Sequence, residues 1–180
     1  MNPFKTFVGT LTVSDKDIVQ NASESIYDIN INKLNGEGLD LSQYKGKYIM
    51  FVNVASKCGY TPQYRELQKL HETYKDKLAV IAVPCNQFGK QEPGNADEIK
   101  EFCEVNYGVS FTITEKVDVK GSGRHPLYKW LTKKVINGHK NSKVKWNFQK
   151  YLINPEGQFI DYFYPITKPM NPRITSHIKQ

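Results

Sequence analysis

The sequence predicts an α/β domain built on a parallel sheet. Three observations carry that reading. Tyr48–Val54 and residues 78–83 are runs apolar at successive positions, as strands buried on both faces are. Between them, Leu67, Leu70, His71 and Tyr74 recur at helical spacing. A strand, a helix and a strand in that order form a βαβ unit, whose crossover is right-handed. The chain has 180 residues, about one domain's length, and can bury a core without disulfides or structural metal.

The elements follow in order. Residues 1–23 form an arm with little pattern. Phe7 to Val13 is apolar but barely reaches the lower length of a signal-peptide core, and Asp15 and Asp17 follow at once. A single domain is expected over 24–180. Imperfect alternation over 26–32 suggests a strand, and Asn35-Gly36-Glu37-Gly38 a turn. After the first buried strand, Thr61 is expected to cap a helix with Pro62 in its first turn. The second buried strand leads into a polar loop from Pro84 to Gly94. Asn95 and Glu98 have the spacing of a capping box, and Gly108 suits the stop of that helix. Short strands are expected over 109–111 and 116–119. A helix is expected over 126–134, packing Leu127, Trp130 and Leu131. Strands over 146–153 and 158–164 make a hairpin across Asn154-Pro155-Glu156-Gly157.

Composition excludes several classes. With 39% apolar and 24% charged residues, the chain is neither disordered nor membrane-embedded. No apolar run approaches the roughly 18 residues that cross a bilayer. The net charge is +7, yet the lysines are spread from Lys5 to Lys179 without a run of five. Nucleic-acid binding is therefore not expected; weak attraction to acidic surfaces or anionic membranes is. His71, His125, His139 and His177 lack ligand spacing, so no metal is expected. Three cysteines, an odd count without a Cys-x-x-Cys pair, speak for intracellular thiols and against a zinc ribbon.

The cysteines have three settings. Cys58 lies between a buried strand and a helix start, with Lys57 beside it; helix N-termini and adjacent cations favour the nucleophilic thiolate. It also reads as a small buried residue that ends a strand. Cys85 has only uncharged neighbours in Asn86 and Gln87 and reads as structural. Cys103 shares a helix face with Ile99 and Phe102. It is either a core residue or a second working thiol, and meeting Cys58 requires Cα atoms within roughly 7 Å. Partial unwinding of its helix would then be needed.

Asn53-Val54-Ala55-Ser56-Lys57-Cys58-Gly59 resembles the peroxidatic motif of the glutathione peroxidase family. Pro84-Cys85-Asn86-Gln87-Phe88-Gly89-Lys90-Gln91-Glu92-Pro93-Gly94 and Lys145-Trp146-Asn147-Phe148 resemble its other two motifs, in the family's order. The resemblance runs from about residue 25 to 168. It implies a thioredoxin-like fold, a central mixed sheet with helices on both faces. It implies a catalytic group of Cys58, Gln91, Trp146 and Asn147, and no cofactor. Gln87 is not the matching glutamine. Cys stands where the mammalian selenoenzymes carry selenocysteine. Phe102-Cys103-Glu104-Val105-Asn106-Tyr107-Gly108 is similar to the resolving-cysteine segment of thioredoxin-dependent members.

The implied cycle has three steps. Cys58 reduces hydrogen peroxide or an organic or lipid hydroperoxide and becomes a sulfenic acid. Cys103 resolves it as a disulfide, and a thioredoxin-like dithiol protein reduces that disulfide. Two alternatives stand beside this: glutathione as reductant without a resolving cysteine, and a sensor that oxidises a partner protein. The short chain between Trp130 and Trp146 is similar to that of monomeric, phospholipid-hydroperoxide-type members. A cytoplasmic monomer is expected, with the arm leaving organellar or secretory targeting open.

Overall fold

The computed structural model describes residues 22–179, so the expectations for the arm before Ala22 lie outside it. A 3-10 turn at Ile26–Asp28 precedes β1 (Ile31–Asn32) and β2 (Gly38–Leu39), a short antiparallel pair. A second 3-10 turn, Leu41–Tyr44, leads to β3 (Tyr48–Val54). Then follow α1 (Gln63–Tyr74), β4 (Leu78–Pro84), α2 (Ala96–Tyr107), β5 (Thr112–Ile113) and α3 (Pro126–Thr132). A single turn, α4 (Lys134–Asn137), precedes β6 (Lys150–Ile153), β7 (Phe159–Phe163) and α5 (Pro172–Ile178).

The main sheet has the order β5-β4-β3-β6-β7. β3, β4 and β5 run parallel, and β6 and β7 add antiparallel. Alternate side chains of β3 divide the core. Ile49 and Phe51 pack with Leu127, Trp130 and Leu131 of α3. Met50, Val52 and Val54 pack with Leu67 and Leu70 of α1, Ile99 of α2, and Ile174 and Ile178 of α5. Helices thus cover both faces, and the fold is the thioredoxin-like one the resemblance implies. Among the described residues no helix is long and apolar enough to cross a membrane.

Register brings the three motifs together. Val54 lies opposite Pro84 in the parallel pair, so Ala55 and Cys85 leave the same end of the sheet. Val52 lies opposite Lys150 in the antiparallel pair, so Lys145-Trp146-Asn147-Phe148 enters at that same end. The backbone is stitched there by Cys85 N–H to Val54 O (3.1 Å). Segments 30 to 90 residues apart in sequence meet at one edge because βαβ and antiparallel pairings are combined.

Several expected elements differ. The alternation over 26–32 gives a 3-10 turn and a two-residue strand, because Ser25 caps the turn through its side chain. The pattern at 109–111 precedes the strand, which forms at Thr112–Ile113; residues 116–119 belong to no strand. The helix expected over 126–134 breaks at Lys133, whose φ of −119° and ψ of 115° are extended. Part of the basic loop is then the turn of α4. The hairpin strand begins at Lys150, leaving Trp146 in the preceding turn. The terminal helix α5 was not anticipated. The capping box at Asn95 and Glu98 forms, and Gly108 ends α2 with a left-handed φ of 60°.

Candidate active site

Cys58 sits in the turn between β3 and α1 and is 8% exposed. Thr61 organises that turn. Its hydroxyl accepts from the Cys58 amide (3.0 Å) and donates to the Ala55 carbonyl (2.8 Å). Thr61 is therefore not the helix cap; Pro62 holds that position and α1 begins at Gln63. The hydroxyl is occupied by the turn that presents the thiol. The sulfur itself accepts one backbone donor, Tyr60 N–H, at 3.4 Å.

The second motif is tied to this turn by the Lys57 amide, which donates to the Gln91 carbonyl (3.0 Å). The loop turns through two left-handed residues, Gly89 (φ 64°) and Lys90 (φ 53°). A left-handed residue other than glycine is strained by roughly 1–2 kcal/mol. Gly89 suits this turn on two counts: its φ is left-handed, and a Cβ there would lie a tight 3.3 Å from Gln91 Nε2. Lys116 fixes the rest of the loop from its far side through the carbonyls of Glu92 (3.0 Å) and Gly94 (2.6 Å).

The third motif supplies Asn147, fully buried, and Trp146, 38% exposed at the rim. Asn147 Nδ2 donates to Gln91 Oε1 at 3.0 Å. That bond turns the Gln91 amide so that its Nε2 remains available as a donor. Trp146 packs on Phe88 with ring centroids 5.5 Å apart. The residue after Asn147 is Phe148, again left-handed at φ 66° and buried edge-on to Tyr64. Strained non-glycine residues thus lie beside both amides, as happens where a fold over-determines a functional loop.

Gln87 and Gln91 divide their work. Gln87 Oε1 accepts from the amides of Val119 (2.8 Å) and Lys120 (3.0 Å), a loop-closing role. Gln91 and Asn147 are joined directly, and backbone bonds carry Gln91 to the residue preceding Cys58. Cys103 and Cys58 both lie in the core layer beneath α1 and α2, and both are free thiols. Cys103 is fully buried, and burial pushes its thiol up to about 11. Cys85 lies in the opposite layer, and burial raises it too.

Sequence reasoning passed over four residues that build the site. Thr61 reads in the sequence as a helix cap. Asn53 lies in an apolar strand, fully buried, and its Nδ2 donates to the Trp146 carbonyl (3.0 Å). Its signal was a lone amide inside an apolar run. Ser56 Oγ donates to Glu92 Oε1 at 2.6 Å, and Glu92 is 1% exposed. Nothing in the sequence separates such a buried carboxylate from a solvated one.

A model of the family described as glutathione peroxidase matches residues 26–132. The chain belongs to the glutathione peroxidase family. The matched span holds Cys58, Gln91 and Cys103, while Trp146 and Asn147 lie beyond it. The chain is 52% identical over 147 residues to a Staphylococcus epidermidis protein named glutathione peroxidase homolog BsaA, covering 81% of this chain and 92% of that one. It is 47% identical over 148 residues to the Saccharomyces cerevisiae protein named glutathione peroxidase-like peroxiredoxin 2, with 81% and 90% covered. The crystal structure of Trypanosoma cruzi GPX1 superposes with a TM-score of 0.68 at 32% identity, covering 87% of this chain and 95% of that one. This glutathione peroxidase family member is thus a peroxidase by family and thioredoxin-like by fold.

Proposed function

We propose that this peroxidase is a two-cysteine enzyme in which Cys58 is the peroxidatic residue, Gln91, Trp146 and Asn147 serve it, and Cys103 resolves it. The observation that carries the reading is the hydrogen-bonded chain from the Cys58 turn through Lys57 N–H and Gln91 to Asn147. Motifs distant in sequence are bonded to one another beside the turn that carries this thiol, which supports a working rather than a merely structural cysteine.

The chemistry follows from the donors. The Cys58 sulfur attacks one peroxide oxygen, the O–O bond breaks, and the other oxygen leaves as alcohol or water once protonated. The Gln91 amide and the Trp146 indole N–H stabilise that developing charge as neutral, pre-placed donors. Asn147 sets the Gln91 orientation. The product on Cys58 is a sulfenic acid. Cys103 then displaces its oxygen and forms a disulfide, which a thioredoxin-like dithiol reduces by exchange. The yeast relative's peroxiredoxin name supports a dithiol reductant. Hydrogen peroxide and organic or lipid hydroperoxides are the substrates, and residues 24–180 form the working domain.

Cys103 lies in the body of α2, and its carbonyl accepts from Val109 N–H at 3.2 Å. Its joining to Cys58 is expected to open that last part of the helix. Steady-state assays of Cys103→Ser with thioredoxin and with glutathione test the reading. Turnover with thioredoxin is expected to collapse while peroxide still consumes Cys58. Wild-type turnover with thioredoxin in this variant overturns the resolving role.

A further inference from the structure

Asn53 interrupts the apolar run of β3 one residue before its end and is fully buried. By alternation its side chain shares a face with Ile49 and Phe51, which pack in the apolar layer of α3. A buried amide there is costly, and Asn53 Oδ1 has no hydrogen-bond partner. An apolar side chain would fill that place at lower cost, so packing alone does not account for the amide.

The turn of the third motif accounts for it. Asn53 Nδ2 donates to the Trp146 carbonyl at 3.0 Å. The main-chain carbonyl of Asn53 accepts from Phe148 N–H, and its amide donates to the Gln149 carbonyl at 3.4 Å. The side-chain bond holds the peptide unit that joins Trp146 to Asn147. The bond from Phe148 holds the unit that joins Asn147 to Phe148. Peptide units are planar, so fixing both of them fixes the backbone of Asn147 between them. The direction from which its side chain reaches Gln91 follows. Upstream, Gln149 Oε1 accepts from the Lys145 amide at 2.9 Å, so the chain is already held one residue before Trp146. Downstream, Phe148 is left-handed at φ 66°, a conformation that persists only where its surroundings impose it.

We propose that Asn53 is a positioning residue for peroxide reduction. Its side-chain amide sets the peptide plane between Trp146 and Asn147, and so aims the indole and the Asn147 amide at the site where Cys58 attacks. Asn53 acts through those two residues. Only one of its bonds to the turn belongs to the side chain, and the two main-chain bonds do not depend on it. Removing the side chain therefore frees the plane at Trp146 and leaves the strand pairing in place. The inference rests on Trp146 and Asn147 serving Cys58.

Stopped-flow measurement of Cys58 oxidation by hydrogen peroxide tests this in Asn53→Ala. The second-order rate is expected to fall about tenfold or more, as small misplacements of working groups do. In a protein carrying both Trp146→Phe and Asn147→Ala, the same substitution should slow oxidation by about twofold at most, because the groups it positions are already gone. A spectroscopic signature accompanies the rate. The chain has two tryptophans and Trp130 is fully buried, so acrylamide quenching reports Trp146. Quenching should rise in Asn53→Ala. A merely structural role would lower the melting temperature, leave quenching unchanged and slow both backgrounds alike. An Asn53→Ala protein with the wild-type rate and quenching overturns the inference, and so does an equal slowing in the two backgrounds. If the Trp146→Phe, Asn147→Ala protein itself oxidises at the wild-type rate, the role of those two residues fails, and this inference with it. Should Asn53→Ala not fold, Asn53→Leu, which is close in shape and suits the apolar layer, meets the same criteria.

Discussion

Replacing Thr61 by Val probes how the thiol is presented. The two side chains have nearly the same shape, so the change removes a hydroxyl and little else. That hydroxyl satisfies two buried backbone groups, the Cys58 amide at 3.0 Å and the Ala55 carbonyl at 2.8 Å. An unsatisfied buried group costs about 1–3 kcal/mol. Two of them, partly relieved by relaxation, give roughly 2–4 kcal/mol. For a domain of this length each kcal/mol lowers the melting temperature by about 2–4 °C. A fall of roughly 4–16 °C is therefore expected in a thermal melt. The second-order rate of Cys58 oxidation by hydrogen peroxide should fall as well, because the turn no longer fixes the sulfur. Thr61→Ser retains the hydroxyl and should restore the rate. A Thr61→Val protein that melts within 2 °C of wild type (~1 kcal/mol) and reacts at the wild-type rate refutes the reasoning.

Asn147→Ala removes the donor that orients Gln91. It should lower kcat/KM for peroxide about tenfold or more and cost about 1 kcal/mol in denaturant melts. Gly89→Ala forces a Cβ into a left-handed residue beside Gln91 Nε2. It should cost about 1 kcal/mol and reduce the peroxide rate severalfold. The third expectation concerns Lys150, fully buried in β6, whose ammonium donates to Gln63 Oε1 and the carbonyls of Pro165 and Thr167. Burial pushes it down to about 7 from 10.5. Between these values the unfolded chain binds the extra proton, so stability rises with pH. From about pH 7 to 9 the gain is roughly 2–3 kcal/mol. Above pH 9 the raised thiols of Cys85 and Cys103 oppose it, since there the folded state holds the extra protons. Urea melts across pH 7–9 should show the rise, and Lys150→Met should abolish it.

The legible parts of the fold were those set by local chemistry. β3 and β4 are continuous apolar runs, and such runs have few other solutions. The Asn95-to-Glu98 capping box and Gly108 delimited α2 because both act through backbone geometry within one turn. What failed was decided at longer range. Residues 109–111 have strand-forming side chains, yet β5 forms one step later, where Ile81 and Ala82 of β4 offer partners. Trp146 reads as strand by propensity but lies in a turn, because Asn53 Nδ2 holds its carbonyl.

The candidate site shows the same division. Cys58, Gln91, Trp146 and Asn147 were legible through motifs, and register explains why those motifs meet. Thr61, Asn53 and Glu92 were not, because their work lies in whom they touch. A buried Glu and a solvated Glu are the same letter. Sequence placed Cys103 on the apolar face of its helix; only the packing shows it beside Tyr64 in the layer that holds Cys58.

The proposed cycle turns on Cys58 and Cys103 working as a pair. Free thiols should be counted before and after one equivalent of hydrogen peroxide, with peptide mapping of any disulfide formed. Loss of two thiols, a Cys58–Cys103 link and an untouched Cys85 are expected. A stable sulfenic acid on Cys58 with Cys103 still free contradicts that cycle and leaves a one-cysteine peroxidase.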